Sequence, residues 1–195
     1  MAIRPWSANT YQFSFVEIKQ TAFRLDGVFL PAQEYENPVY FVEVQFQPDL
    51  EFYSRFFAEI FLYLRQNKPQ NNWLAVVIYP TQSVDTGELK HYCELFASQR
   101  VSRVYLDELG GSAEQSIGIA TVKLVISPEE SAAEQARSLI DKVRQEIADE
   151  VQAWNLLQLI ETIIVYKLPN KSREEIEAML GLSDLKQTKV YQEAL

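Results

Sequence analysis

The chain has 195 residues, 47% of them hydrophobic, 12% aromatic and 23% charged, with a net charge of −9. A single cysteine, Cys93, and a single histidine, His91, exclude an internal disulfide, thiolate zinc cages, HExxH helices and any scheme needing two imidazoles. GxGxxG, GxxxxGK[ST] and GxSxG are also absent, which leaves chemistry by carboxylates or no chemistry at all.

Met1–Thr10 carries Arg4, Pro5 and Trp6 without an apolar run, so no signal peptide is expected there. Tyr11–Ile18 and Ala22–Leu30, rich in aromatic and branched residues, predict two strands, and Val39–Gln45 a third. The short links between them, Lys19–Thr21 and Pro31–Asn37, favour an antiparallel meander. Leu50, Tyr53, Phe57, Phe61 and Leu64 recur at helical spacing and predict a helix over Leu50–Arg65, with Asp49 as N-cap. Trp73–Tyr79 is a continuous apolar run and reads as a strand buried on both faces, reached by a strand-helix-strand crossover. A short helix is expected over Thr86–Phe96 and a strand over Val101–Leu106, followed by a loop at Gly110-Gly111. Ile117–Ile126 reads as a strand, or as a strand running into the next helix. His91 and Cys93 have no spacing partner and are read as structural.

From Pro128 the pattern turns helical, with Ile140, Val143, Ile147, Trp154, Leu157 and Ile164 near one seam through Leu168. Ser172–Glu175 resembles a capping box for a helix through Leu180, closed by Gly181. The expected organisation is a mixed-sheet domain, residues 1–127, and a helical C-terminal extension, residues 128–195. The extension's seam suits packing within the chain or, alternatively, a homodimer through these helices. No apolar run reaches the roughly 18 residues of a membrane span. The expectation is a cytoplasmic protein with no membrane partner.

Two acids stand where strand propensity disfavours them: Asp26 within Phe23–Leu30 and Glu43 within Tyr40–Phe46. Alternation projects Val39, Phe41, Glu43 and Gln45 from one face. A carboxylate on a buried strand must be paired, protonated or bound to a cation, because an isolated buried charge costs several kcal/mol. Two converging carboxylates and a backbone carbonyl make a hard-oxygen site of the kind Mg²⁺ accepts. The same spacing also allows a purely structural reading, with Asp26 capping an Asp26-Gly27 turn and Glu43 paired with Arg24 or Arg55.

The order Arg24-Leu-Asp-Gly-Val-Phe29, a turn, Tyr40-Phe-Val-Glu-Val-Gln45, a helix and a buried strand resembles the PD-(D/E)XK nuclease core. Pro38–Arg65 (PVYFVEVQFQPDLEFYSRFFAEIFLYLR) closely resembles the recombination-promoting nuclease and transposase-like family of bacteria, and Ser172–Ala194 resembles its carboxy-terminal end. That resemblance implies an α/β, restriction-endonuclease-like mixed sheet flanked by helices. It also implies a Mg²⁺-dependent DNA endonuclease (Mn²⁺ as substitute) with DNA as substrate. Asp26 and Glu43 would be the catalytic and metal-binding acids, the Val44 carbonyl a further ligand, and Gln45 would take the place of the motif lysine. Gln45 can orient a water or a phosphate but brings no charge. Tyr53, Arg55 and Glu59 lie on the following helix, where related nucleases place a helper residue; Arg55 and Glu59 also suit an i,i+4 ion pair. Relatives begin with an additional helix that Met1–Thr10 does not provide, so a truncated, catalytically inactive member serving as an interaction module, or a remnant, is the alternative. Glu17, the nearest upstream acid, is expected to pair with Lys19 or Arg24. Segment charges of −2, −2 and −5 over residues 1–70, 71–127 and 128–195 argue against binding by counterion release alone, though not against a local contact.

Overall fold

Branched and aromatic residues of the first half build the expected strands, and a bend at Asp26 divides the second of them. The computed structural model describes residues 11–14, 17–18, 23–32, 37–110 and 116–182. Met1–Thr10, and with it the question of a first helix, lies outside them, as do Lys19, most of the Pro31–Asn37 turn, Gly111 and residues 183–195. Strand β1 is Tyr11–Ser14, β2 Glu17–Ile18, β3 Phe23–Arg24, β4 Gly27–Pro31 and β5 Val39–Val44. Helix α1 spans Phe52–Asn67, β6 Trp73–Tyr79, α2 Cys93–Ala97 and β7 Val101–Tyr105. β1, β4, β5, β6 and β7 form one five-stranded sheet in that order, while β2 and β3 form a separate two-stranded ribbon. β1–β4 and β4–β5 are antiparallel; β5–β6 and β6–β7 are parallel. The sheet is therefore mixed, and α1 makes the expected crossover from β5 to β6. In the ribbon, Glu17 stands opposite Arg24 in register.

The helix differs from its predicted stripe. Leu50 and Phe61 are exposed, whereas Phe52, Tyr53, Phe56, Phe57, Glu59, Ile60 and Tyr63 are buried. The helix begins two residues later than expected, and its buried face is a band broader than the predicted stripe. The N-cap is Glu51, without a side-chain cap bond, and not Asp49, whose Oδ1 instead accepts the Glu51 N–H at 2.9 Å just ahead of the helix. The buried band packs with Leu25, Val28, Val39, Phe41, Ala75, Val77 and Val101 as one core. β6 is fully buried only at Ala75, Val77 and Tyr79, the intervening residues being half-covered. The helix expected over Thr86–Phe96 is reduced to α2; Cys93 at its start and His91 in the turn before it are both exposed.

The chain divides into two compact units, Met1–Glu108 and Leu109–Leu195. The second holds α3 (Ile117–Ile126), α4 (Glu129–Glu146), α5 (Glu150–Lys167) and α6 (Arg173–Leu180). Ile117–Ile126 is thus a helix, not a strand: Ser116 caps it, and Ile117 and Leu124 enter the same core as α4 and α5. A sequence boundary drawn after residue 127 leaves α3 with the sheet, whereas the compact units divide after Glu108. The long predicted helix is broken at Ile147–Asp149, where the Asp149 carboxylate accepts the Gln152 N–H at 2.8 Å and starts α5. Ile140, Val143, Leu157 and Ile164 of the seam are buried within this unit's own core. The Ser172–Glu175 capping box is present, and Gly181 adopts a left-handed φ of 67° at the C-cap. Among the described residues, no helix is long and apolar enough to cross a membrane.

Candidate functional site

Asp26 lies at the bend just before β4, one step beyond the last β4–β5 pair, Gly27 with Val42. That step places it beside Glu43. The Asp26 N–H donates to Glu43 Oε2 at 3.0 Å, and the Val44 N–H donates to Asp26 Oδ2 at 3.0 Å. Each acid is thus fastened to the backbone of the opposing strand, a reciprocal clasp at the C-terminal end of β5. The neighbouring parallel strands β6 and β7 end at the same edge, the side on which open α/β sheets bind ligands.

Glu43 shares a face with Val39 and Phe41, and the Phe41 ring meets Tyr63 of α1 edge-on at 5.2 Å. Two residues further along β5 advance about 6.6 Å, and four residues back along the returning helix advance about 6 Å. The partner of Glu43 on α1 is therefore Glu59. Glu59 is only 2% exposed, and its Oε2 has no hydrogen-bond partner. Burial pushes the Glu43 carboxyl up to about 7 against the lowering effect of the Asp26 N–H, with the Asp26 and Glu59 charges adding to the rise. Burial likewise pushes Glu59 up to about 7, with Arg55 opposing and Asp26 reinforcing. Arg55 compensates little, because its Nη1 is committed to Asp49 at 2.7 Å while its Nε stands 4.0 Å from Glu59. The expected Arg55–Glu59 pair exists only at that outer limit.

Asp26, Glu43 and the strand carrying Val44 are thus brought together, with Glu59 facing them and Arg55 at the margin. Gln45 is not turned to the acids: its Nε2 donates to the Gln47 carbonyl, and its N–H to Ile78 O at 2.9 Å. Tyr53 belongs to a different cluster. Its hydroxyl donates to Asp85 Oδ1 at 2.8 Å and accepts from the Tyr79 hydroxyl at 2.9 Å. Tyr105 and Arg103 donate to Asp85 Oδ2 at 2.7 and 2.9 Å. Burial pushes Asp85 up, but the bonds from Tyr105, Tyr53 and Arg103 more than reverse this and hold it below its ordinary value. The same acid contributes to lifting Tyr105 to about 12, after burial. Nothing in the spacing marks Asp85, which sits in a loop beyond β6, as the acceptor for three side chains.

This cluster anchors the loop after β6, where the Glu88 N–H reaches Leu50 O at 3.1 Å. Gly87 makes the approach possible: a Cβ there would lie 2.5 Å from Tyr53 Cδ2, a ring fully buried in the core. Gly87→Ala is accordingly expected to destabilise the sheet unit by about 1–3 kcal/mol through overpacking. A lowered midpoint in urea with an unchanged slope would register the effect; an unchanged midpoint would show that the loop yields freely.

Among the described residues, no group of three or more His, Cys, Asp or Glu side chains forms a set that could hold a metal ion. A cation here would rest on two carboxylates, a carbonyl and waters, which suits hydrated Mg²⁺ better than a caged ion. Glu43 and Glu59 are buried and Asp26 is exposed, and the Arg55 guanidinium nearby is held by Asp49. No curated protein and no solved structure matches the chain. A family model described as "Protein of unknown function (DUF2887)" matches residues 2–180. With the match running through both the sheet unit and nearly all of the described helical unit, the chain belongs to the DUF2887 family.

Proposed function

We propose that the sheet unit is a Mg²⁺-dependent DNA endonuclease of the recombination-promoting type, hydrolysing phosphodiester bonds at the Asp26–Glu43 pair. The observation that carries this reading is the reciprocal clasp between the two acids, which fixes both carboxylates at one sheet edge with uncompensated charge behind them. The donor set fits a hard divalent cation, with Asp26, Glu43 and the Val44 carbonyl as protein ligands. When bound, such a cation supplies charge neutralisation at a phosphoryl oxygen and a more acidic water. The resemblance of Pro38–Arg65 to recombination-promoting nucleases supports DNA as the substrate. A catalytically inactive member acting as an interaction module is the competing reading, favoured by the engagement of Gln45 with Gln47.

Incubation of the purified chain with supercoiled plasmid separates the two. The nuclease reading expects relaxed or linear product with Mg²⁺ or Mn²⁺ and none with EDTA. It further expects the rate to fall steeply with salt, because a protein of net charge −9 holds DNA through few, screenable phosphate contacts. Intact plasmid under all these conditions would leave the interaction module as the reading.

A further inference from the structure

Acidic clusters are common, and the pair at Asp26 and Glu43 alone would say nothing about how water is activated. Glu59 adds an independent observation. Its side chain is 2% exposed, yet Oε2 lacks a hydrogen-bond partner, a costly arrangement for a carboxylate oxygen. The Phe41–Tyr63 contact sets Glu59 on α1 opposite Glu43 on β5, and Phe56, Ile60 and Tyr63 of the same helix are buried. Gln45, expected to handle the water, spends its amide on Gln47. Arg55 stands 4.0 Å from the other oxygen and is held by Asp49.

We propose that Glu59, through its free Oε2, orients and deprotonates the attacking water beside the Asp26–Glu43 pair. The inference rests on the nuclease reading and deepens it. The water oxygen forms a new bond to phosphorus as its proton passes to Glu59, and the phosphorus–oxygen bond to the leaving sugar oxygen breaks. The leaving oxygen takes a proton from solvent, and Glu59 returns its own proton to solvent before the next turnover. No electrons change hands. Glu59 stands apart from the ligand set because the acids do not gather into a three-donor group. A free acceptor facing two fixed acids matches the geometry required of a general base better than that of a ligand.

The test uses the full chain with Glu59→Gln, Glu59→Asp, Gln45→Ala and Asp26→Asn. Single-turnover cleavage of supercoiled plasmid is measured alongside two readouts that need no catalysis. These are the shift in Tm produced by Mn²⁺ and the Kd for fluorescent duplex DNA in Ca²⁺. Glu59→Gln should lose about a hundredfold or more in rate. It should retain the Mn²⁺ shift and the DNA affinity, while Asp26→Asn loses the shift. Glu59→Asp should recover part of the rate, and Gln45→Ala should fall at least about tenfold less than Glu59→Gln. A wild-type rate in Glu59→Gln would overturn the inference and leave the nuclease reading intact. Loss of the Mn²⁺ shift in Glu59→Gln would overturn it differently, by making Glu59 a ligand. A wild type that shifts with Mn²⁺ but never cuts would overturn the nuclease reading, and the inference with it.

Discussion

Asp26→Asn and Glu43→Gln should each abolish Mg²⁺-dependent plasmid cleavage, with a loss of at least about a thousandfold, or about 4 kcal/mol of transition-state stabilisation. The amide variants suit this test better than alanine because the carboxylates also serve the fold. Asn at 26 can still accept the Val44 N–H, and Gln at 43 can still accept the Asp26 N–H. Only the negative charge is removed, and one remaining carboxylate is too little to retain a strongly hydrated ion. Neither variant should unfold: removing charge from the 7%-exposed Glu43 relieves a buried, poorly compensated group. The effects should not add, so the double variant should be no slower than either single one, as for residues that act as a unit. Equal residual cutting by wild type and double variant would identify a contaminating nuclease. The interaction-module reading would then lead.

The two acids were legible in the sequence because each interrupts a strand-forming run, and period-two alternation places Glu43 on the apolar face. Their mutual clasp was not legible, because it depends on a β4–β5 register that the Pro31–Asn37 link does not specify. Glu59 shows a different limit. Its helical position was noticed as an i,i+4 partner of Arg55, which is ordinarily a solvated pair. The buried band, broader than the predicted stripe, instead includes Glu59. Apolar counting assigns Leu50 and Phe61 to the core, although both are exposed, and cannot see a glutamate in it. Asp85 was invisible for a related reason. Its partners, Tyr53, Arg103 and Tyr105, come from α1 and β7, with Tyr79 of β6 bonded to Tyr53, and only the parallel β6–β7 register with α1 laid across it brings them together. Ile117–Ile126 was misread because ten residues with only one charge satisfy strand and helix patterns alike; the Ser116 cap and the packing on α4 decide it.

In EDTA the sheet unit should lose stability as the pH rises from about 5 to about 8. Glu43 and Glu59 are both held near 7 in the folded chain, against an ordinary value of 4.5. Between those values the folded state binds more protons than the unfolded chain. The stability gained is therefore complete below the unfolded value and lost as the pH passes through about 7. Each group alone would account for at most about 3 kcal/mol, and since their charges repel one another the pair together should give about 2–4 kcal/mol. For a unit of this size that corresponds to a fall in Tm on the order of 10 °C. Asp85 works in the opposite sense. Its lowered value means that its contribution is present above the ordinary 3.8 and is lost on acidification, so the stability curve should also turn down at low pH. Glu59→Gln separates the limbs: it should raise the midpoint at pH 8 and flatten the alkaline fall, while leaving the acid limb to Asp85. Saturating Mg²⁺ should flatten the alkaline limb of the wild type as well, because a cation at Asp26 and Glu43 offsets the charge that deprotonation exposes. A Tm independent of pH between 5 and 8 in EDTA would show that these carboxyls titrate as ordinary surface acids. The buried charge invoked for cation binding would then be absent.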